Sequence, residues 1–115
     1  VANNISAACW TGEIPDVLGF ASGTSIMIEV KVGRGDFLKD FKKSFRINAE
    51  EGVGEYRYYA CPPDLIKESE LPEKWGLLYC DEKKKVTIAK LAERQTSNIQ
   101  TERAILLSII RRLKK

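Results

Sequence analysis

The chain contains no histidine, and its 115 residues include only three cysteines, four prolines and one methionine. Without an imidazole the commonest general base and most nucleophile triads are excluded, and a zinc site is not expected. Cys9, Cys61 and Cys80 are odd in number, far apart, and set in or near apolar runs. They read as buried free thiols of a reducing, cytoplasmic compartment rather than as a disulfide framework. Long hydrophobic runs are also missing. The longest, Ala104 to Ile110 interrupted by Ser108, is far too short to span a bilayer, and no basic segment followed by an apolar one opens the sequence. A soluble protein with no membrane partner is expected. A large surplus of one charge is lacking too: the net charge is +3, so composition by itself does not mark a nucleic-acid binder. What remains is carboxylate and lysine chemistry.

A hydrophobic content of 43% with 30% charged residues is ordinary for a folded soluble domain, and the length suits one domain spanning 1–115. The stretch that organises it is 15–31, from Pro15 and Asp16 through Ser22-Gly23 to Glu29-Val30-Lys31. It reads as two strands joined by a tight turn at Ser22-Gly23. In the second strand Ile26, Ile28, Val30 and Val32 share one face, and Met27, Glu29 and Lys31 share the other. With a two-residue or four-residue loop, paired residues have numbers adding to 45, which sets Asp16 opposite Glu29. A three-residue loop would instead pair Asp16 with Ile28. Opposed Cβ atoms lie about 5 Å apart, so two carboxylates placed there repel unless a cation sits between them. The even register therefore predicts a metal site: oxygen ligands for a hard cation, and a lysine to orient or acidify the attacking water. The plainer alternative is a half-solvated strand whose Glu29 and Lys31 are surface charges.

Pro15-Asp16, a short gap and then Glu29-Val30-Lys31 resemble the signature of the PD-(D/E)XK nuclease superfamily. The continuation Val32-Gly33-Arg34-Gly35-Asp36-Phe37-Leu38 is similar to its MmcB-like DNA-repair branch, with Gly33 and Gly35 standing where that branch has serines. The resemblance covers roughly residues 13 to 90. It implies a restriction-endonuclease-like α/β fold and a Mg²⁺-dependent deoxyribonuclease, Mn²⁺ substituting, in DNA repair, recombination or phage DNA processing. It further implies that Asp16, Glu29 and Lys31 are catalytic, that Asp16, Glu29 and the backbone carbonyl of Val30 ligate the metal, and that Arg34 and Asp36 support the site or contact phosphate. Such domains commonly begin with a helix packed on the sheet. Because the chain opens on Val1, that helix is expected to be missing, cut away upstream.

Elsewhere, residues 1 to 12 read as an edge strand or extended arm. After the hairpin, Asp36 can cap a helix from Phe37 to about Asn48, with Phe37, Leu38, Phe41 and Phe45 turned to the core. Six basic residues, Lys31, Arg34, Lys39, Lys42, Lys43 and Arg46, stand against Asp36 and Asp40 in this stretch. A basic helix of this kind supplies sequence-independent phosphate contacts, which makes Arg34, Lys39, Lys42, Lys43 and Arg46 the candidate DNA-binding residues; a solvated helix face is the alternative. Glu55 to Cys61 is a strand, Pro62-Pro63-Asp64 opens a short helix through Glu68, and Leu77 to Cys80 with Lys85 to Lys90 forms an edge hairpin guarded by lysines. A final helix starts at Ser97, with Gln100 completing a capping box and Ile99, Leu106, Ile109, Ile110 and Leu113 forming its apolar stripe. The expected fold is a mixed α/β domain with a central sheet of about five strands flanked by helices, the basic helix on one face and the C-terminal helix elsewhere. The rival functions are a non-catalytic DNA-binding module on the same fold and a purely structural interaction domain.

Overall fold

Ser22 and Gly23 both take positive φ, 51° and 76°, the backbone of a two-residue hairpin turn whose twist matches that of its flanking strands. They join β1 (Val17–Ala21) to β2 (Thr24–Val30). The pairing runs from Ala21↔Thr24 to Val17↔Ile28, so the even register forms and the three-residue loop does not. The computed structural model describes residues 17–40, 42–43, 46 and 48–113. Asp16 and the arm expected over residues 1 to 12 lie outside the described residues.

Three more strands complete a mixed sheet in the order β1-β2-β3-β4-β5, as expected of an α/β domain. β3 (Tyr56–Cys61) lies parallel to β2, β4 (Gly76–Cys80) parallel to β3, and β5 (Val86–Lys90) antiparallel to β4 at the far edge. Parallel neighbours require a crossover, and the link from β2 to β3 carries α1 (Arg34–Asp40). The last element is α2 (Ile99–Leu113). No helix among the described residues is long and apolar enough to cross a membrane.

Directly paired residues share a face, so Leu18, Met27, Glu29, Tyr59 and Leu77 project from one side of the sheet. That side is buried. Phe37 of α1 and Ile105 of α2 join Leu18, Met27, Tyr59 and Leu77 in one core with Val53, Ile66 and Trp75. Each such side chain contributes about 1.5–3 kcal/mol by leaving water. Both helices thus feed the same core, and the expectation that the C-terminal helix packs elsewhere is corrected. On the opposite face Ile26 and Val30 remain 39% and 47% exposed.

Local boundaries differ from the sequence reading in three places. The helix expected from Phe37 to Asn48 begins at Arg34 and ends at Asp40, after which tight i→i+3 bonds, Lys42 N to Lys39 O and Lys43 N to Asp40 O, turn the chain. Asp36 therefore sits inside the first turn instead of capping it, Leu38 is 50% exposed rather than turned to the core beside Phe37, and Phe41 and Phe45 lie outside the described residues. The short helix after Pro62 is replaced by a single 3-10 turn, Glu68–Glu70. At α2 the cap is Asn98, whose Oδ1 accepts from Thr101 N at 3.1 Å, rather than Ser97. Its buried side is Thr101, Glu102 and Ile105, while Ile99, Leu106, Ile110 and Leu113 of the expected stripe stay exposed. Glu102 is held there because its Oε2 accepts from Gly54 N at 2.8 Å. A side chain at residue 54 is excluded: φ is 94°, and a Cβ would stand 2.7 Å from that of Met27.

Candidate active site

The strand period places Glu29 two residues beyond Met27 on the buried face, close to the carboxyl end of β2. Lys31 N donates to Ala60 O at 2.8 Å, which continues the pairing with β3 and brings the lysine side chain to the same face. Its Nζ stands 3.7 Å from Glu29 Oε2 and 3.4 Å from Asp40 Oδ1. Glu29 is 5% exposed. The surface-charge reading of the Glu29 and Lys31 pair is thereby corrected: the sheet turns this face inward under both helices.

Asp40, the last residue of α1, is wholly buried. Phe37 and Asp40 are three apart on one helix face, so the packing that buries the ring buries the carboxylate. Asp40 Oδ1 also meets Lys43 Nζ at 3.2 Å. Its Oδ2 accepts from Arg46 Nε at 2.6 Å and from the Tyr59 hydroxyl. Arg46 spans both acids, with Nη2 3.0 Å from Glu29 Oε1. Its guanidinium carbon lies 4.9 Å from the centre of the Trp75 ring, which stacks on Tyr59 at 4.4 Å, while Phe37 meets Tyr59 edge-on at 5.1 Å. Aromatic walls and two carboxylates therefore fix one guanidinium.

Burial pushes the Asp40 carboxyl upward, but the Arg46 charge, hydrogen bonds from Tyr59 and Arg46, and the Lys31 charge outweigh it and hold it down at about 2. The Tyr59 phenol is pushed well above its ordinary value, first by burial and then by its hydrogen bond to Asp40. At neutral pH Asp40 is an anion and Tyr59 a donor.

Of the residues singled out from sequence, the fold brings Glu29, Lys31, Lys43 and Arg46 together. Arg46 is corrected from an outward phosphate contact to an internal pair, its side chain 1% exposed, because the chain turns after Asp40 instead of continuing as a straight helix. Arg34 stands apart: it donates to both oxygens of Glu70 at 2.7 Å and to Leu65 O at 3.0 Å. Asp36, Lys39 and Lys42 are exposed on α1 and the following turn. Asp40, Tyr59 and Trp75 were not marked by the sequence reading, although an acid three residues from a core phenylalanine is a usable signal.

The site offers hard oxygen donors, carboxylates and strand-end carbonyls, which suit Mg²⁺ or Mn²⁺ in kind. Among the described residues no three acidic or thiol side chains come together to hold a metal. The described share of the expected ligand set is Glu29 and the carbonyl of Val30.

No protein-family model matches the chain, and no curated protein matches it. Among solved structures it is similar to SPO1766, a protein of unknown function from Silicibacter pomeroyi, with a TM-score of 0.63 and 24% identity over 90% of this chain and 70% of that one. At that identity the likeness concerns the fold alone.

Proposed function

We propose that this domain is a metal-dependent deoxyribonuclease that hydrolyses phosphodiester bonds, working in the cytoplasm in DNA repair, recombination or phage DNA processing. The observation that carries the reading is Glu29 and Lys31 side by side on an inward sheet face, 3.7 Å apart, in the hairpin register that the signature requires. Asp16, Glu29 and the Val30 carbonyl are the groups to hold Mg²⁺ or Mn²⁺, which when bound supplies Lewis-acid stabilisation of the phosphoryl oxygens and a more acidic water. Lys31 orients that water and stabilises developing negative charge. Lys39, Lys42 and Lys43 hold the DNA backbone through phosphate contacts. The test is cleavage of DNA with Mg²⁺ or Mn²⁺ by the wild type and by folded Glu29→Ala, Lys31→Ala and Asp16→Ala variants, all three of which should be inactive. Wild-type cleavage that survives EDTA, or an active Glu29→Ala protein, overturns the reading.

The internal pairing of Glu29 and Asp40 with Arg46 and Lys31 favours one alternative, a DNA-binding module without turnover. Metal-independent, salt-sensitive binding with no cleavage in any divalent cation identifies it.

A further inference from the structure

A carboxylate offers about four lone-pair sites, and Asp40 has four donors: Lys31 Nζ at 3.4 Å and Lys43 Nζ at 3.2 Å on Oδ1, Arg46 Nε at 2.6 Å and the Tyr59 hydroxyl on Oδ2. Two of them also reach Glu29, Lys31 at 3.7 Å and Arg46 at 3.0 Å. Two acids are thus bridged by the same two cations. A lysine on a flexible four-carbon stem has no fixed place of its own, and a second anchor converts it from a mobile charge into a located one. The anchor is itself located, since Tyr59 is paired directly with Glu29 across the parallel strands and its hydroxyl fixes which way the Asp40 carboxylate points.

We infer that Asp40, oriented by Tyr59, is a positioning residue that holds the Lys31 ammonium and the Arg46 guanidinium against Glu29. This role rests on the hydrolytic reading of Glu29 and Lys31. Asp40 acts at the chemical step through Lys31, and DNA affinity stays with the exposed lysines. Buried ion pairs are commonly structural, so a readout that mere structure does not move is required.

Two measurements on the full chain provide it. In Mn²⁺-supported cleavage of duplex DNA, Asp40→Asn should lower kcat about tenfold or more with KM little changed, and Tyr59→Phe should lower it by a smaller factor. Independently of any activity, acetic anhydride should acylate Lys31 faster in both variants, measured by mass spectrometry against exposed Lys39 in the same molecule. Unchanged Lys31 labelling, or a loss confined to KM, overturns the positioning role. Should Asp40→Asn fail to fold by circular dichroism, Tyr59→Phe decides alone: wild-type labelling and wild-type kcat sink the inference. A wild-type protein that cleaves no DNA overturns the hydrolytic reading and the role in catalysis together, and the labelling then reports only whether Asp40 locates Lys31.

Discussion

Arg46 Nη2 stands 3.0 Å from Glu29 Oε1 across 17 positions of sequence, and the same guanidinium reaches Asp40 through Nε at 2.6 Å. Removing it leaves two buried carboxylates short of one of the two cations they share. Arg46→Ala is expected to destabilise the domain by about 3–5 kcal/mol, whereas an exposed change such as Lys42→Ala stays within about 0.5 kcal/mol. Urea unfolding of the two variants beside wild type checks this. Equal midpoints would mean that the buried pairing contributes nothing.

The depressed Asp40 carboxyl makes stability depend on acid. Its folded value is about 2 against an ordinary 3.8; because the folded value is the lower, the contribution is fully present above the unfolded value and is lost as pH falls through the folded one. About 2 kcal/mol should disappear between roughly pH 4 and pH 2. Asp40→Asn lacks the titrating group, so the gap in melting temperature between it and wild type should narrow over that window. A constant gap would place the acid sensitivity elsewhere.

The hairpin, its register and the shared face of Glu29 and Lys31 were legible because strand period and turn chemistry are local. Which face turns inward was not. Alternation in Ile26 to Val32 looks the same from either side, and the isoleucine side is left more open because both helices settle over Leu18 and Met27. Inside, Glu29 is met by Arg46 and Lys31, and Arg46 lies 17 positions away in sequence, a pairing that no local pattern encodes. Asp40 was within reach, being three residues from Phe37 on a face that had to be buried. Tyr59 and Trp75 became neighbours of the site only when β3 and β4 took their places in the sheet.

The start of α2 separates two adjacent candidates. Asn98 Oδ1 accepts from Thr101 N and Asn98 O from Glu102 N, each at 3.1 Å. Asn98→Ala should therefore lower stability by about 1 kcal/mol, and Ser97→Ala should leave it nearly unchanged. Thermal melting of the two single variants is sufficient. A larger effect at Ser97 would restore the capping box read from sequence.

Arg46 is committed inside the fold and touches no phosphate, and Lys43, its side chain 46% exposed, divides its charge between Asp40 at 3.2 Å and a phosphate. Lys39 and Lys42 are exposed at the end of α1 and in the turn that follows, one and two residues from Asp40 in sequence. A lysine that neutralises one phosphate adds about 0.9 to the slope of log affinity against log salt. Lys39→Ala with Lys42→Ala should flatten that slope by up to roughly two units while leaving the melting temperature almost unmoved. Lys43→Ala should flatten it less and also cost stability, because Asp40 loses a donor. Fluorescence anisotropy of labelled duplex DNA between about 50 and 200 mM salt measures all three slopes. An unchanged slope in the double variant would move the DNA to another surface, and the absence of salt-sensitive binding in wild type would count against the nuclease and the binding module alike.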